Sequence, residues 1–291
     1  MEFDKPTFDQ VQEVFLDDGA EALIACLTGL NRGQPQPDDA SAAMAVRFGW
    51  IDPATQTLTP LGWMVSDSCR EYTFWRQRAR SLPFIGFTDA LTDSAFHGKA
   101  VLEIGSGMGA NLMSLGQIAA SVEGVEPMAI YRQMGAILRQ REGLPQVAQH
   151  AGRAEALPFA DHSFDTVLYV TAHQYMELDT AMAEAARVLR PGGEVILIGG
   201  VWGTYLKEAM QNVPRRPAAI RSDVVTVANT LSYMATGRRV LSAKGSTTTS
   251  RPIYPTVRTM CRLLQAAGLR VTVAGSVLSN ERLFRALKPA V

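Results

Sequence analysis

The chain has 291 residues, 47% of them hydrophobic, enough to bury a substantial core as one large domain with an appendage or as two modest domains. Lys plus Arg equal Asp plus Glu at 28 each, so the overall charge points to no polyanionic partner, although residues 1–60 carry three basic and ten acidic side chains and residues 201–260 carry nine and two. The acidic opening MEFDKPTFD has no apolar run behind it, no stretch approaches the roughly 20 apolar residues of a membrane span, and Cys26, Cys69 and Cys261 form no C-x-x-C pair; these features lead us to expect a cytoplasmic chain with buried, reduced thiols and no membrane partner.

Val11, Val14, Phe15, Ala22, Leu23 and Ile24 recur at helical spacing before the NRGQPQPDD break, and a further helix follows from about Ser41. FGWIDPATQTLTPLG then supplies two short β-capable runs around a polar turn, and a helix is expected over about Trp63 to Arg80. Helix, small hairpin, helix is the order of a winged helix; a plain helical cap is the other reading. From Lys99 short apolar strands alternate with helices: AVLEIG, a helix after Gly109, SVEGVEP, a helix to about Arg141, VAQHAG, DTVLYV, a helix from Thr180 to Leu189, and EVILIGG. This alternation predicts an α/β fold with a doubly wound, mostly parallel sheet covered by helices on both faces. Residues 201–256 interrupt it like an inserted lid, and a helix over Val257 to Ala267 and two strands, LRVTVAG and RLFRAL, close the chain.

The strand AVLEIG ends in glycines and leads into a helix, which puts the loop at the carboxyl end of the first strand, where such sheets bind ligands. Gly105 permits the turn, and Gly107 lets a ligand approach the backbone. Twenty-one residues after Gly105, the second strand ends in Glu126, where a carboxylate can accept hydrogen bonds from two ribose hydroxyls. Together they specify a nucleoside. Because Gly105, Gly107 and Ala110 also satisfy G-x-G-x-x-A, a nicotinamide dinucleotide, S-adenosylmethionine and a purely structural turn all remain open on these residues alone.

The loop is preceded by Glu103 in the form E-x-G-x-G-x-G, and two strings lie downstream, GRAEALPFADHSFDTVLYV and EAARVLRPGGEVILIG. As a set, over residues 99–200, these segments resemble the class I S-adenosylmethionine-dependent methyltransferases, particularly the small-molecule group that includes quinone C-methylating enzymes. The resemblance implies a seven-stranded Rossmann-like sheet in residues 91–291, interrupted by the insertion 201–256. Residues 1–90 then form a helical or winged-helix-like domain that caps the core or makes a homodimer.

By the same resemblance, Glu103, Gly105, Ser106 and Gly107 lie at the amino acid end of S-adenosyl-L-methionine, Glu126 takes its ribose, and Met128 offers an apolar face to the adenine. Family members often carry Asp-Ala-Glu before the LPF string. Here the triplet is Arg153, Ala154 and Glu155, so the adenine contact falls to the Ala154 backbone or to Glu155. Tyr72 and Trp75, in EYTFWRQRAR, are expected either over the cofactor or in the seam between helix and core. Tyr169, Thr171 and His173 lie on the strand and loop that run under the transferable methyl group in the family, and an imidazole there could remove a proton from the acceptor. Pro191, Gly192 and Gly193 are expected to form a turn into the fifth strand.

No triad, carboxylate pair or metal-spaced histidine set competes with this reading, and no metal is expected. The basic side chains Lys207, Arg215, Arg216, Arg221, Arg238, Arg239, Lys244 and Arg251 of the insertion suggest a small anionic, carboxylate-bearing acceptor. A thioether such as methionine or its hydroxy analogue is the alternative. A nucleic-acid methyltransferase is disfavoured by the net charge of residues 1–60 and by the lack of an N-P-P-Y or D-P-P-Y string. A nicotinamide oxidoreductase and a non-catalytic binder of the cofactor are the remaining rivals.

Overall fold

Side-chain caps open several of the helices. Asp4 accepts the Thr7 N–H and Pro6 enters the first turn of α1, Lys5–Leu16; Asp39 accepts the Ser41 and Ala42 N–H groups to start α3, Ala40–Arg47, after α2, Ala20–Asn31. The computed structural model describes residues 1–37, 39–85, 88–144, 147–211, 217–240 and 252–290. The predicted hairpin is two residues per strand, β1, Ile51–Asp52, and β2, Thr57–Leu58, paired antiparallel with Ile51 opposite Leu58. Thr59 then caps α4, Pro60–Gln77, through the Gly62 N–H at 3.0 Å. Gly62 is required there: a Cβ on it would fall 1.8 Å from the Trp50 carbonyl oxygen.

The alternating part runs β3, Ala100–Ile104; α5, Ala110–Leu115; β4, Ser121–Val125; α6, Ala129–Arg141; β5, Ala148–His150; β6, Phe164–Val170; α7, Leu178–Val188; and β7, Leu189–Gly199. It continues through α8, Trp202–Gln211; α9, Pro217–Thr236; α10, Val257–Ala266; β8, Arg270–Leu278; and β9, Glu281–Leu287. The seven-stranded sheet has the order β5-β4-β3-β6-β7-β9-β8. β4 pairs parallel with β5, and β3 with β6 and β6 with β7; β9 runs antiparallel to both β7 and β8. The doubly wound, mostly parallel sheet expected from the sequence is thus present.

One expected turn is not. Pro191, Gly192 and Gly193 lie inside β7, which begins at Leu189 directly after α7. The Gly192 N–H donates to the Lys288 carbonyl at 3.0 Å and the Lys288 N–H to the Gly193 carbonyl at 2.8 Å, so backbone pairing with the chain's last residues draws the segment into the sheet. A register shift between Phe164 and Thr166 of β6 absorbs the extra residues.

The chain divides into two compact units. The first comprises Met1–Pro83, Ser106–Gln117 and Val122–Ala151, the second Phe84–Gly105, Ile118–Ser121 and Gly152–Val291. Phe15, Trp50, Tyr72, Trp75, Met113, Ile130, Met134 and Leu138 form a continuous buried cluster in the first unit. In the second, the apolar runs of β3, β6, β7 and β9 bury Val101, Leu102, Val167, Leu168, Leu197 and Phe284 completely or nearly so. Cys26 and Cys69 are buried, as expected, whereas Cys261 is only half-buried.

Candidate functional site

In the first unit the chemistry gathers at the end of β4. Glu126 is buried, and its two carboxylate oxygens accept separate backbone amides: Gly107 at 3.0 Å and Met128 at 2.9 Å. Burial pushes this carboxyl up to about 7, against the pull of the Met128 and Gly107 amides and the Arg132 charge. Arg132 also donates to the Glu126 carbonyl at 2.6 Å. Each carboxylate oxygen has more than one acceptor site, so both can still take a ligand hydroxyl.

The loop feeding this carboxylate is held from below. Gln149, on β5, donates to Ser106 Oγ at 2.8 Å and to the Gly107 carbonyl at 2.7 Å. Arg139, on α6, donates to the Met108 carbonyl and to Gln149 Oε1, both at 3.2 Å. Burial pulls the Arg139 guanidinium down to about 10. Gly135 lets α6 pass beneath the loop, since a Cβ on it would sit 2.2 Å from the Met108 oxygen. Gly107 is the opposite case: at φ 55° it occupies the left-handed region, and a Cβ built on it meets nothing within 4 Å. Its backbone therefore borders open space beside a preorganised carboxylate, which suits close approach of a nucleoside. Arg139, Gln149 and Gly135 were not anticipated. The signal that marks them is an arginine one helical turn after a glycine on the buried side of α6, and an amide inside a short strand.

Met128 is half-buried beside this site. Tyr72 and Trp75 lie in the core instead, the second of the two expectations for them. The Trp75 indole donates to Ser114 Oγ at 2.9 Å, the Tyr72 hydroxyl donates to Glu142, and neither ring is more than 1% exposed. Packing in the seam consumes both side chains.

In the second unit the predicted residues gather on the loop after β6. Thr171 is exposed and adopts φ 50°, a conformation a β-branched residue seldom takes, while its N–H donates to the Ile198 carbonyl at 2.7 Å. Gly105 supports the loop, its φ of 73° making the turn and its missing side chain leaving room for Ala172, which a Cβ would approach to 2.5 Å. Glu103 is buried on β3. Glu155 accepts the Glu177 N–H at 2.9 Å and so anchors the start of α7, while Ala154 is buried.

His173, the imidazole that could serve as a base, is fully buried. Its Nε2 donates to the Gly200 carbonyl at 3.0 Å, which leaves the lone pair on Nδ1. Nδ1 packs against Gly199, where a Cβ would fall 2.6 Å away, and has no hydrogen-bond partner among the described residues. Burial lowers this imidazole to about 4, so it is neutral at physiological pH and a feeble proton acceptor. Tyr169 is likewise fully buried; its hydroxyl donates to the Ala181 carbonyl at 3.2 Å, and burial raises its pKa far above the ordinary phenol range. Both side chains shape the loop from within, and of the three expected catalytic residues only Thr171 meets solvent.

Of the insertion's basic residues, Arg215, Arg216, Lys244 and Arg251 lie outside the described residues. Lys207, Arg221 and Arg238 are exposed. The Arg239 side chain is buried and donates to the Gln174 and Met176 carbonyls at 3.4 and 2.5 Å, tying the segment after α9 to the loop after β6. Among the described residues no three His, Cys, Asp or Glu side chains converge as a metal site requires.

Residues 102–197 match the family model described as a methyltransferase domain. An uncharacterized methyltransferase of Mycobacterium bovis is 37% identical over 106 residues, 36% of this chain and 40% of the relative. A phthiotriol/phenolphthiotriol dimycocerosates methyltransferase of Mycobacterium ulcerans is 40% identical over 102 residues, 34% of this chain and 36% of the relative. The chain thus matches about two fifths of the length of these relatives. Among solved structures, the protein complexed with the Trm112 methyltransferase activator of Haloferax volcanii superposes with a TM-score of 0.51 at 15% identity, over 79% of this chain and 96% of that one, a likeness of fold alone. Residues 102–197, a third of the chain, are thus similar to a methyltransferase domain.

Proposed function

We propose that the whole protein transfers a methyl group from S-adenosylmethionine to a small anionic acceptor. The reading is carried by the likeness of residues 102–197 to a methyltransferase domain together with the pairing of Glu126, already aligned by the Gly107 and Met128 amides, with the open backbone of Gly107. Glu126 would hold the ribose, and Ser106 and Gly107 would meet the amino acid end of the donor. The sulfonium supplies an activated methyl group: its carbon–sulfur bond breaks as the acceptor's lone pair forms the new bond, and S-adenosylhomocysteine leaves.

What this chain must add is alignment and exclusion of water rather than a strong base. The placement of His173 fits that division of labour, because a neutral buried imidazole can fix the loop without exchanging protons. Thr171 is assigned to the acceptor side, where its strained, exposed position lets its hydroxyl contact the incoming molecule. The excess of seven positive charges in residues 201–260 supports an anionic acceptor. Residues 1–90 are read as a domain that caps the core or makes a homodimer of a cytoplasmic protein.

The test is release of S-adenosylhomocysteine during incubation with S-adenosylmethionine and separate panels of carboxylates, phenols, thioethers and amines. Turnover confined to carboxylate-bearing acceptors is expected. Turnover confined to amines would overturn the acceptor class, and absence of donor binding would overturn the function.

A further inference from the structure

A chain of polar side chains links three helices of the first unit. The Asn31 amide of α2 donates to the Ser66 hydroxyl of α4 at 3.1 Å, and Asn31 Oδ1 accepts Arg70 at 3.2 Å. Arg70 donates to one carboxylate oxygen of Asp67 at 2.8 Å, and the other oxygen accepts the Tyr131 hydroxyl of α6 at 3.0 Å. Asn31 and Ser66 are buried, and the Asp67 side chain is 22% exposed. Burial and the neighbouring Asp67 charge push the Tyr131 phenol far above its ordinary range, so its hydroxyl remains a donor. An ion pair taken largely out of water adds little stability that apolar side chains would not supply. What this one supplies is position.

What Asp67 positions is the Tyr131 ring. Tyr131, Gly135 and Arg139 stand four residues apart on α6 and so share one stripe. That stripe faces the glycine loop: a Cβ on Gly135 would sit 2.2 Å from the Met108 oxygen, and Arg139 donates to the same oxygen at 3.2 Å. Tyr131 lies one turn nearer the start of the helix, toward Glu126 at the end of β4, and the Glu126 charge adds to the rise of its phenol. The ring is half-buried and packs on the same core as Met128. On α4, Tyr72 and Trp75 are consumed by packing, whereas Asp67 reaches the first turn of α6.

We propose that Asp67 is a positioning residue for the methyl donor: through the Tyr131 hydroxyl it holds the Tyr131 ring as one wall of the nucleoside space beside Glu126 and Gly107. This rests on the reading of Glu126 as the ribose acid. Helix α4 then takes part in donor binding through a residue of α6.

The experiment is calorimetric titration of the full chain with S-adenosylhomocysteine and with 5′-methylthioadenosine, which keeps the nucleoside and lacks the amino acid end. The variants are Asp67→Ala, Asp67→Asn, Tyr131→Phe and the double variant Asp67→Ala, Tyr131→Phe, each compared with the wild type by circular dichroism. Asp67→Ala is expected to weaken both ligands by the same factor, about tenfold. Tyr131→Phe should match it, and the double variant should lose no more than either single one. Asp67→Asn keeps an oxygen for the hydroxyl and should bind within about threefold of the wild type. A merely structural Asp67 would lower the thermal midpoint of Asp67→Ala and leave both affinities unchanged, which overturns the proposal. A double variant whose loss is the product of the single losses overturns it too, because Asp67 would then act by a route other than the Tyr131 hydroxyl. If Asp67→Ala does not fold, Tyr131→Phe decides alone, and unchanged affinity for both ligands overturns the proposal. A wild-type chain that binds neither ligand defeats the donor reading and this proposal with it, whereas variants that bind as the wild type does overturn this proposal alone.

Discussion

Helices α6 and α9 are near opposites in how they use their faces. α6 turns Ile130, Met134, Ile137 and Leu138 inward, with one buried arginine reaching the glycine loop, while α9 turns Thr226, Asn229, Thr230 and Tyr233 inward and leaves its aliphatic side chains outside. The first pattern is explained wholly by the chain's own core. The second is not, because Ile220, Val224 and Leu231 on the other side of α9 are exposed. The orientation of α6 is thus fixed by burial, which holds the glycine loop through Arg139, whereas α9 is held by hydrogen bonds to its polar side.

Stability measurements should separate the two helices most widely. Met134→Ala on α6 is expected to cost about 2–5 kcal/mol in denaturant unfolding, as a cavity in a filled core. An equal loss from Val224→Ala on α9 would mean that the exposed stripe is packed, and the contrast would fail. Arg139→Met should come next, at about 1–3 kcal/mol, because the Met108 carbonyl and Gln149 Oε1 lose a buried donor. It should also weaken S-adenosylhomocysteine binding, read by calorimetry, whereas Arg221→Met on α9 should leave that affinity unchanged.

A pH series sharpens the comparison further. With Glu126 at about 7, the carboxyl is mostly ionised at pH 8 and mostly protonated at pH 6, and only the ionised form offers all its lone pairs to ribose hydroxyls. S-adenosylhomocysteine affinity is therefore expected to fall about tenfold from pH 8 to pH 6, and this fall should vanish in Glu126→Gln. The smallest effect is Val224→Ala itself, expected within about 0.5 kcal/mol of wild type.

Much of the first pattern was legible beforehand. The strand–glycine–helix texture around Gly105 and Gly107 and the acid at position 126 located the loop and its carboxylate, because both follow from local backbone needs. Arg139 and Gln149 escaped notice, since a buried arginine is visible only once the helix face it shares with Gly135 is known. The surroundings of His173 were hidden for a related reason: its packing against Gly199 and its bond to the Gly200 carbonyl depend on β7. The RPGG segment was drawn into β7 by pairing with Lys288, nearly a hundred residues away in sequence. The inverted faces of α9 were hidden because Ile220, Val224, Val227 and Leu231 have the periodicity of an ordinary core stripe, and periodicity does not say which side faces in.

The central claim, that the Glu126 cradle binds the methyl donor, is tested most directly by calorimetric titration of the wild-type chain and Glu126→Ala with S-adenosylhomocysteine and with NADH. The account expects S-adenosylhomocysteine to bind the wild type, its affinity to fall about 10- to 100-fold in Glu126→Ala, and NADH to give no heat with either. Binding of NADH in place of S-adenosylhomocysteine, or an S-adenosylhomocysteine affinity indifferent to the loss of Glu126, would contradict it.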